Sequence, residues 1–553
     1  MLWKRNDKRG YTKLNRKEDN GDIKFVVAWV ICELMFVYSV WCVCVNLASH
    51  GFVERTVSGF ICILVVLFGL LKILEVKIGL VVESKISLAR FFVIPIFLSL
   101  GITMTCTGYC ECIFNTTVFQ HTPGVDSHAT TAYERRDLHK ICTPSSRVCM
   151  VYPTLPSNAG NEVFINFHIN PESCEANKCA PIFRYQRYSH GKNNSNWENG
   201  TPILGEYELP SSEYTSRDIY TVYLENLEQS STYRFMIDEP SWKDYQPQIY
   251  SYKTFDPENY RIIAAGDIGN QEKAIEMNTN TVSNLEFDLI MVGGDIAYDN
   301  NIPTCFYVWD HLLHNIPYGK YDSITNSTRL AAFIMGVGNH DVGVSSFSNG
   351  GIPHNAHQPV YKHWFPQQSS VNEVPFLEER KTYFSHSFGD KLLIISLDTQ
   401  YEVDMDGEQA HWLEETLKNS NHKIKIAQYH GPIYPSCEPE DTHDYWVEDA
   451  GKKYWVPLFD KYNVTLVSEN HTHSVKRTKK LKGGKEDQTG TVYIGEGNWG
   501  CYIHDIGCID RNPDLQLFST IDRNIWLIHL GSNLDLKAYN EKNKILDESV
   551  VEY

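Results

Sequence analysis

From Tyr260 onward the chain repeats one pattern: a short apolar run of strand length that ends in a polar cluster. Tyr260–Ala265 (YRIIAA) ends in Gly-Asp, and Phe287–Val292 (FDLIMV) ends in Gly-Gly-Asp. Ala331–Val337 (AAFIMGV) leads into Gly-Asn-His-Asp, and Lys391–Leu397 (KLLIISL) into Asp398. Lys423–Gln428 ends in Tyr-His, and Val464–Ser468 in Glu-Asn-His. Runs that stay apolar instead of alternating read as strands buried on both faces. Helical spans lie between them, such as Gly407–Leu417 (GEQAHWLEETL). Such a rhythm predicts an α/β arrangement, with functional groups collected at the carboxyl ends of the strands.

The polar residues at those ends are Asp267 (GDIG), Asp295 and Tyr298 (GDIAY), Asn339 and His340 (GNHD), His430 (YHGP), and His471 and His473 (NHTH). Carboxylate, amide, phenol and imidazole are hard or borderline donors that suit first-row metals. Two cations about 3.5–4 Å apart need a bridging carboxylate and ligands from several loops. His471 and His473 alternate in an extended loop, so one can serve each metal. His363, His386 and His411 read instead as surface or capping histidines.

This ordered series resembles the metallophosphoesterase superfamily and, within it, the purple acid phosphatases. The family pattern D-x-G, G-D-x-x-Y, G-N-H-[DE], an isolated His and then H-x-H is matched in order. The wider superfamily has D-x-H at the first motif; here Gly269 replaces that His, and Tyr298 is the replacement ligand. The helix Gly407–Leu417 and the segment Thr491–Gly500 (TVYIGEGNWG) also resemble the family. The resemblance implies that Asp267, Tyr298 and His473 bind a ferric ion. Asn339, His430 and His471 would bind a divalent iron, zinc or manganese ion, with Asp295 bridging the two. His340 would face substrate phosphate. The family's outer histidine after the isolated His has no direct counterpart, and His443 is the nearest candidate. Asn470 stands where the family usually has Gly; it opens a formal sequon, Asn470-His471-Thr472, which is expected to stay unmodified.

The implied fold is a four-layer metallophosphoesterase β-sandwich with flanking helices, an α+β or α/β catalytic domain over residues 257–553. Its implied activity is an acid phosphatase acting on small phosphomonoesters. A phosphodiesterase or nucleotide pyrophosphatase on the same site is one alternative; an inactive adhesion or receptor-type protein is another. Residues 141–256 carry short β-rich runs such as Glu162–Ile169 and Asp218–Leu224, separated by polar loops. They predict a small antiparallel sandwich, which resembles the fibronectin-like module of plant-type members.

The N-terminal part differs. Apolar stretches at Phe25–Val45, Val57–Leu74 and Leu88–Tyr109 each approach the roughly 20 residues a helix needs to cross a bilayer. Basic residues cluster in residues 1–24 and again at Lys77, Lys85 and Arg90. The sequence therefore predicts a cytosolic basic tail (1–24), three transmembrane helices (25–109), a linker (110–140), and a multi-pass protein whose catalytic domain is lumenal or extracellular. Sequons at Asn115, Asn193, Asn199, Asn326 and Asn463 agree with that placement. So does the even set of ten cysteines from Cys110 onward, with Cys174–Cys179 and Cys501–Cys508 as plausible disulfides. The net charge of −18 argues against a nucleic-acid partner. Oligomeric state is open.

Overall fold

The structure, a computed structural model, describes residues 141–143, 145–189, 196–205, 217–269, 272–299, 307–342, 360–368, 374–437, 445–501 and 512–553. The described residues all belong to one compact unit, 112–553.

Strands β1 (Val148–Thr154), β2 (Val163–Ile169), β3 (Ile182–Arg187), β4 (Glu198–Gly200), β5 (Pro202–Leu204), β6 (Asp218–Leu224), β7 (Thr232–Asp238) and β8 (Ile249–Lys253) precede the apolar series. The series itself begins with β9 (Tyr260–Ala265) and β10 (Leu289–Val292), then β11 (Gly319–Asp322), β12 (Ser327–Leu330) and β13 (Ala332–Met335). It continues with β14 (Phe384–Phe388), β15 (Leu392–Ser396), β16 (Ile424–Gln428), β17 (Leu466–Glu469) and β18 (Val475–Thr478). A small hairpin, β19 (Leu481–Lys482) and β20 (Lys485–Glu486), precedes β21 (Val492–Gly495). The chain closes with β22 (Gln516–Thr520), β23 (Ile525–Leu530), β24 (Leu534–Tyr539) and β25 (Ile545–Val551).

Two sheets matter for the site. One runs β25–β24–β23–β9–β10–β13–β1–β2–β6–β5, and the other β14–β15–β16–β17–β21–β18–β22. At their centres the pairing is parallel: β9 with β10, β10 with β13, β15 with β16, and β16 with β17. Every residue of β10, β13, β15 and β16 is buried, which is why these runs are apolar without alternation. Ile262, Met291 and Ile334 of the first sheet share one core with Ile394, Ile426 and Ile494 of the second. The two sheets therefore pack face to face. Because the central strands of each run the same way, each sheet delivers its carboxyl-end loops together.

The sequence predicts a β-sandwich over 141–256 and a catalytic domain from 257 onward, with the apolar strand series starting at Tyr260. Instead, strands from both sides of it share sheets. β1 lies beside β13, and β8 pairs with β12 in a further sheet ordered β11–β12–β8–β7–β3–β4. The β-rich segment before Tyr260 is antiparallel within itself, as β1–β2 and β2–β6 show. It is nonetheless continuous with the catalytic sheets, and a separate fibronectin-like module is not set apart by its hydrogen bonding.

The expectation of a multi-pass membrane protein is overturned for the residues described: none of their helices is long and apolar enough to cross a membrane. Gly407–Lys418, at 12 residues, spans roughly 18 Å, short of the hydrocarbon thickness. The stretches 25–45, 57–74 and 88–109, the basic tail and the linker 110–140 lie outside the described residues.

The cysteine expectations divide. Cys174–Cys179 is a disulfide, as is Cys142–Cys149, and Cys437 is also disulfide-bonded. Cys501 is a free, buried thiol, so the expected Cys501–Cys508 bond does not form. Its sulfur is turned inward to Tyr298 Oη, 2.9 Å away. Asn199, Asn326 and Asn463 are exposed, whereas Asn470 is fully buried and has no room for a glycan.

Candidate metal centre

The donor residues follow β9 (Asp267), β10 (Asp295, Tyr298), β13 (Asn339, His340), β16 (His430) and β17 (His471, His473), so both sheets feed one place. They form two groups. In the first, Tyr298 Oη lies 3.4 Å from both Asp267 Oδ1 and His473 Nε2, and His473 Nε2 lies 3.1 Å from Asp267 Oδ1. In the second, His430 Nε2 and His471 Nδ1 lie 3.0 and 3.1 Å from Asn339 Oδ1, and 3.1 Å from each other. Asp295 Oδ2 reaches to 3.3 Å from His430 Nε2. Donor atoms of Asp295, His430 and His471 lie within 4.8 Å of one another, a spacing that can hold a cation.

Several features fit such a cation. His430 Nδ1 lies 3.0 Å from the Gly293 carbonyl, which can only accept, so Nδ1 carries the hydrogen. In the neutral ring Nε2 then presents a lone pair, and it faces Asn339 Oδ1, another lone pair. Among the described residues, the carboxylates of Asp267 and Asp295 form ion pairs with histidines alone. Burial alone would push Asp295 up, but the imidazoles of His430 and His340 hold it below the usual carboxylate range. Burial, the Cys501 thiol and the two carboxylates push the Tyr298 phenol well above its ordinary value. Ionising that phenol requires a strong positive charge beside it.

The backbone is strained where the donors sit. Asp267, Asp295, Tyr298, His471 and His473 all have left-handed φ, between 50° and 79°. Each such residue costs on the order of 1–3 kcal/mol, and such conformations cluster at functional sites. Hydrogen bonds over-determine them. Asp341, next to His340, accepts from the backbone N–H of Asp295 (2.8 Å), Ile296 (3.0 Å) and Gly338 (2.8 Å), tying two donor loops together. The His471 N–H donates to Asp267 Oδ2 at 2.9 Å. Two glycines are required by the carboxylates themselves: a Cβ on Gly338 would lie 2.3 Å from Asp295 Oδ1, and one on Gly497 would lie 1.8 Å from Asp267 Oδ2.

Asn470 fills the space between the strand ends. Its side chain donates to the Tyr429 carbonyl at 2.9 Å and packs against Gly266 and Gly293, where a Cβ would collide with it. Those glycines precede the Asp267 and Asp295 loops, so the larger residue is accommodated opposite residues without side chains.

His340 sits at the rim of the group. Its backbone N–H donates to Asp295 Oδ1 at 2.8 Å, and its ring lies 4.3 Å from that of Tyr298. Burial pushes its imidazole down to about 4. His443 lies outside the described residues. Of the histidines read as bland, His386 is buried and lies 2.9 Å from the Pro156 carbonyl, while His363 is also buried; neither belongs to the donor groups.

Sequence reasoning gave no role to Asp341 or to the buried trio Lys476, Glu469 and Glu496, and read Cys501 only as a plausible disulfide partner of Cys508. Asp341 was legible as the last letter of the GNHD motif. The contacts of the others carry no local signal, because their partners come from distant loops.

Residues 260–475 match the calcineurin-like phosphoesterase family. Among curated proteins, the chain is similar to a probable purple acid phosphatase 20 of Arabidopsis thaliana, 26% identical over 328 residues, covering 58% of this chain and 69% of that one. It is also similar to purple acid phosphatase 15 of the same plant, 23% identical, covering 52% of this chain and 54% of that one. Among solved structures, the purple acid phosphatase PPD1 from yellow lupin (Lupinus luteus) seeds shares the fold with a TM-score of 0.55 at 14% identity, covering 73% of this chain and 74% of that one.

The chain carries a calcineurin-like phosphoesterase domain and is a phosphatase of the metallophosphoesterase class. The curated proteins it is similar to include purple acid phosphatases, relatives that imply a dinuclear metal centre.

Proposed function

We propose that the chain hydrolyses small phosphomonoesters at a centre holding one ferric and one divalent ion of iron, zinc or manganese type. The observation that carries this reading is the pair of donor groups, Asp267/Tyr298/His473 and Asn339/His430/His471, with Asp295 beside the second and buried among them. The first group contains the phenol and suits the ferric ion; the second is amide and imidazole and suits the divalent one. When bound, the pair supplies a nucleophile at low pH and neutralises charge on the phosphoryl oxygens.

The protein's own groups do the rest. His430 is oriented by the Gly293 carbonyl, and the Asp295 and Asn339 loops are locked by Asp341. His340, held over Tyr298 at the rim, is placed to meet a phosphoryl oxygen and to hold a proton at Nε2 for the departing alkoxide. Because burial depresses that imidazole, it is protonated only in acid. Activity on a phosphomonoester is therefore expected to peak on the acid side; an alkaline optimum would argue for two divalent ions.

Metal analysis combined with an absorption spectrum tests the reading directly. The oxidised protein should contain two metals per chain, one of them iron, and show a visible phenolate-to-iron band. Tyr298→Phe is expected to abolish that band and lower turnover partially, since Asp295 and the second group stay intact. Asn339→Ala should do the reverse, keeping the colour while losing the divalent ion. Faster hydrolysis of a bis-aryl phosphate than of a phosphomonoester would shift the assignment to a diesterase.

A further inference from the structure

The geometry points to Cys501 as a tuning residue of the metal centre: its thiol donates a hydrogen bond to the Tyr298 oxygen and weakens that oxygen as a ligand. This rests on the ferric-phenolate reading above. The Sγ–Oη distance is 2.9 Å, shorter than the 3.4 Å from the same oxygen to Asp267 Oδ1 and to His473 Nε2. Those two neighbours are ligands of the same ion in this reading, so neither has a proton to give once all three bind. A phenolate oxygen can only accept. A thiol beside it, still carrying its hydrogen, is the complementary group.

The thiol is held in place. Cys501 is fully buried, and its carbonyl accepts from Arg523 Nε at 2.9 Å. The preceding Trp499 and Gly500 N–H groups donate to the Gly266 and Asp267 carbonyls, both at 3.2 Å. The loop that carries the sulfur is thus hydrogen-bonded to the loop that carries a ligand of the same ion. Being free, Cys501 keeps its hydrogen, which a disulfide would have removed.

A hydrogen bond to a phenolate draws electron density onto the proton. Less density then passes to the metal, so the oxidised ion is less favoured and the reduction potential rises. The filled phenolate orbital is lowered as well, which raises the energy of the charge-transfer band. Deleting the donor should reverse both effects.

The test compares wild type, Cys501→Ala and Cys501→Ser, each loaded with two metals and oxidised. Cys501→Ala should keep a visible band but move it to longer wavelength, with a more negative Fe(III)/Fe(II) potential. Cys501→Ser retains a donor and should lie closer to wild type on both measures. A Ser variant that moves as far as Ala would trace the effect to lost packing and overturn the proposal, as would an Ala variant with unchanged band and potential. Because a variant can fail to fold, wild type provides a second measurement. The tyrosinate C–O stretch, read by resonance Raman, should differ between protein produced in H2O and in D2O; an unchanged stretch overturns the hydrogen bond. A wild-type protein with two metals, oxidised iron and no visible band would instead remove the ferric-phenolate reading itself, and this inference with it.

Discussion

Asp295→Asn is expected to lower phosphomonoesterase turnover by on the order of a thousandfold or more, a loss comparable with removing a principal electrostatic stabiliser of a transition state. The substitution is close to isosteric. The amide oxygen can still accept from the His340 N–H, which donates to Asp295 Oδ1 at 2.8 Å. The amide nitrogen can donate to His430 Nε2, now 3.3 Å from Asp295 Oδ2. The fold should therefore survive, and a circular dichroism spectrum and unfolding midpoint near wild type would show that it does. What is lost is a full negative charge that is buried among the histidines. Without it neither cation is well neutralised, and metal content should fall well below two per chain. A variant that turns over at the wild-type rate would remove the two-metal reading. A variant that loses metal yet unfolds at the wild-type midpoint would separate the charge of this residue from its packing.

Much of this arrangement was legible in the sequence because the signal is local. The runs Tyr260–Ala265, Asp218–Leu224 and Gly407–Leu417 match the observed β9, β6 and Gly407–Lys418 helix to within a residue. A strand buried on both faces must be apolar throughout, and a donor at its end must follow it directly. The seven candidate ligands come together for the same reason: parallel strands bring their carboxyl ends to one edge.

Long-range features were not legible. That β1 lies beside β13 depends on a pairing across nearly 180 residues, and apolar strands on either side of Tyr260 look alike whether they share a sheet or not. The Cys501–Cys508 pairing was inferred from proximity in sequence, but the sulfur is used by Tyr298 from another loop. Nothing in the sequence marks Lys476, Glu469 and Glu496 as partners of one another. Their mutual burial appears only once the three segments meet.

That trio carries the largest expected effect on stability. Lys476, Glu469 and Glu496 are each fully buried. Lys476 Nζ pairs with Glu469 Oε2 and lies 3.0 Å from Glu496 Oε1. Glu469 Oε1 also accepts from Tyr429 Oη and from the Ile433 N–H, both at 2.7 Å. Glu496 accepts from the Ser436 N–H at 2.8 Å and from Ser474 Oγ at 2.6 Å. The network thus ties the segment after His430 to the strands flanking His471 and His473. Lys476→Met would leave two buried carboxylates without their cation, a loss of roughly 3–5 kcal/mol by the usual cost of breaking a buried pair. The sign with pH follows. In wild type, burial alone would lower the Lys476 pKa, but Glu469 and Glu496 raise it above its ordinary value. Its stabilisation is therefore fully present below the unfolded lysine value of about 10.4 and is lost only as pH climbs through the higher folded one. In the variant, two buried carboxylates have lost the cation that offsets their desolvation, a cost that is felt only where they are charged. The stability gap between the two proteins should accordingly be small near pH 4 and widen toward pH 7. Denaturant unfolding at both pH values measures it. A gap that is the same at both would mean that the missing interaction is packing of the lysine stem, not its charge.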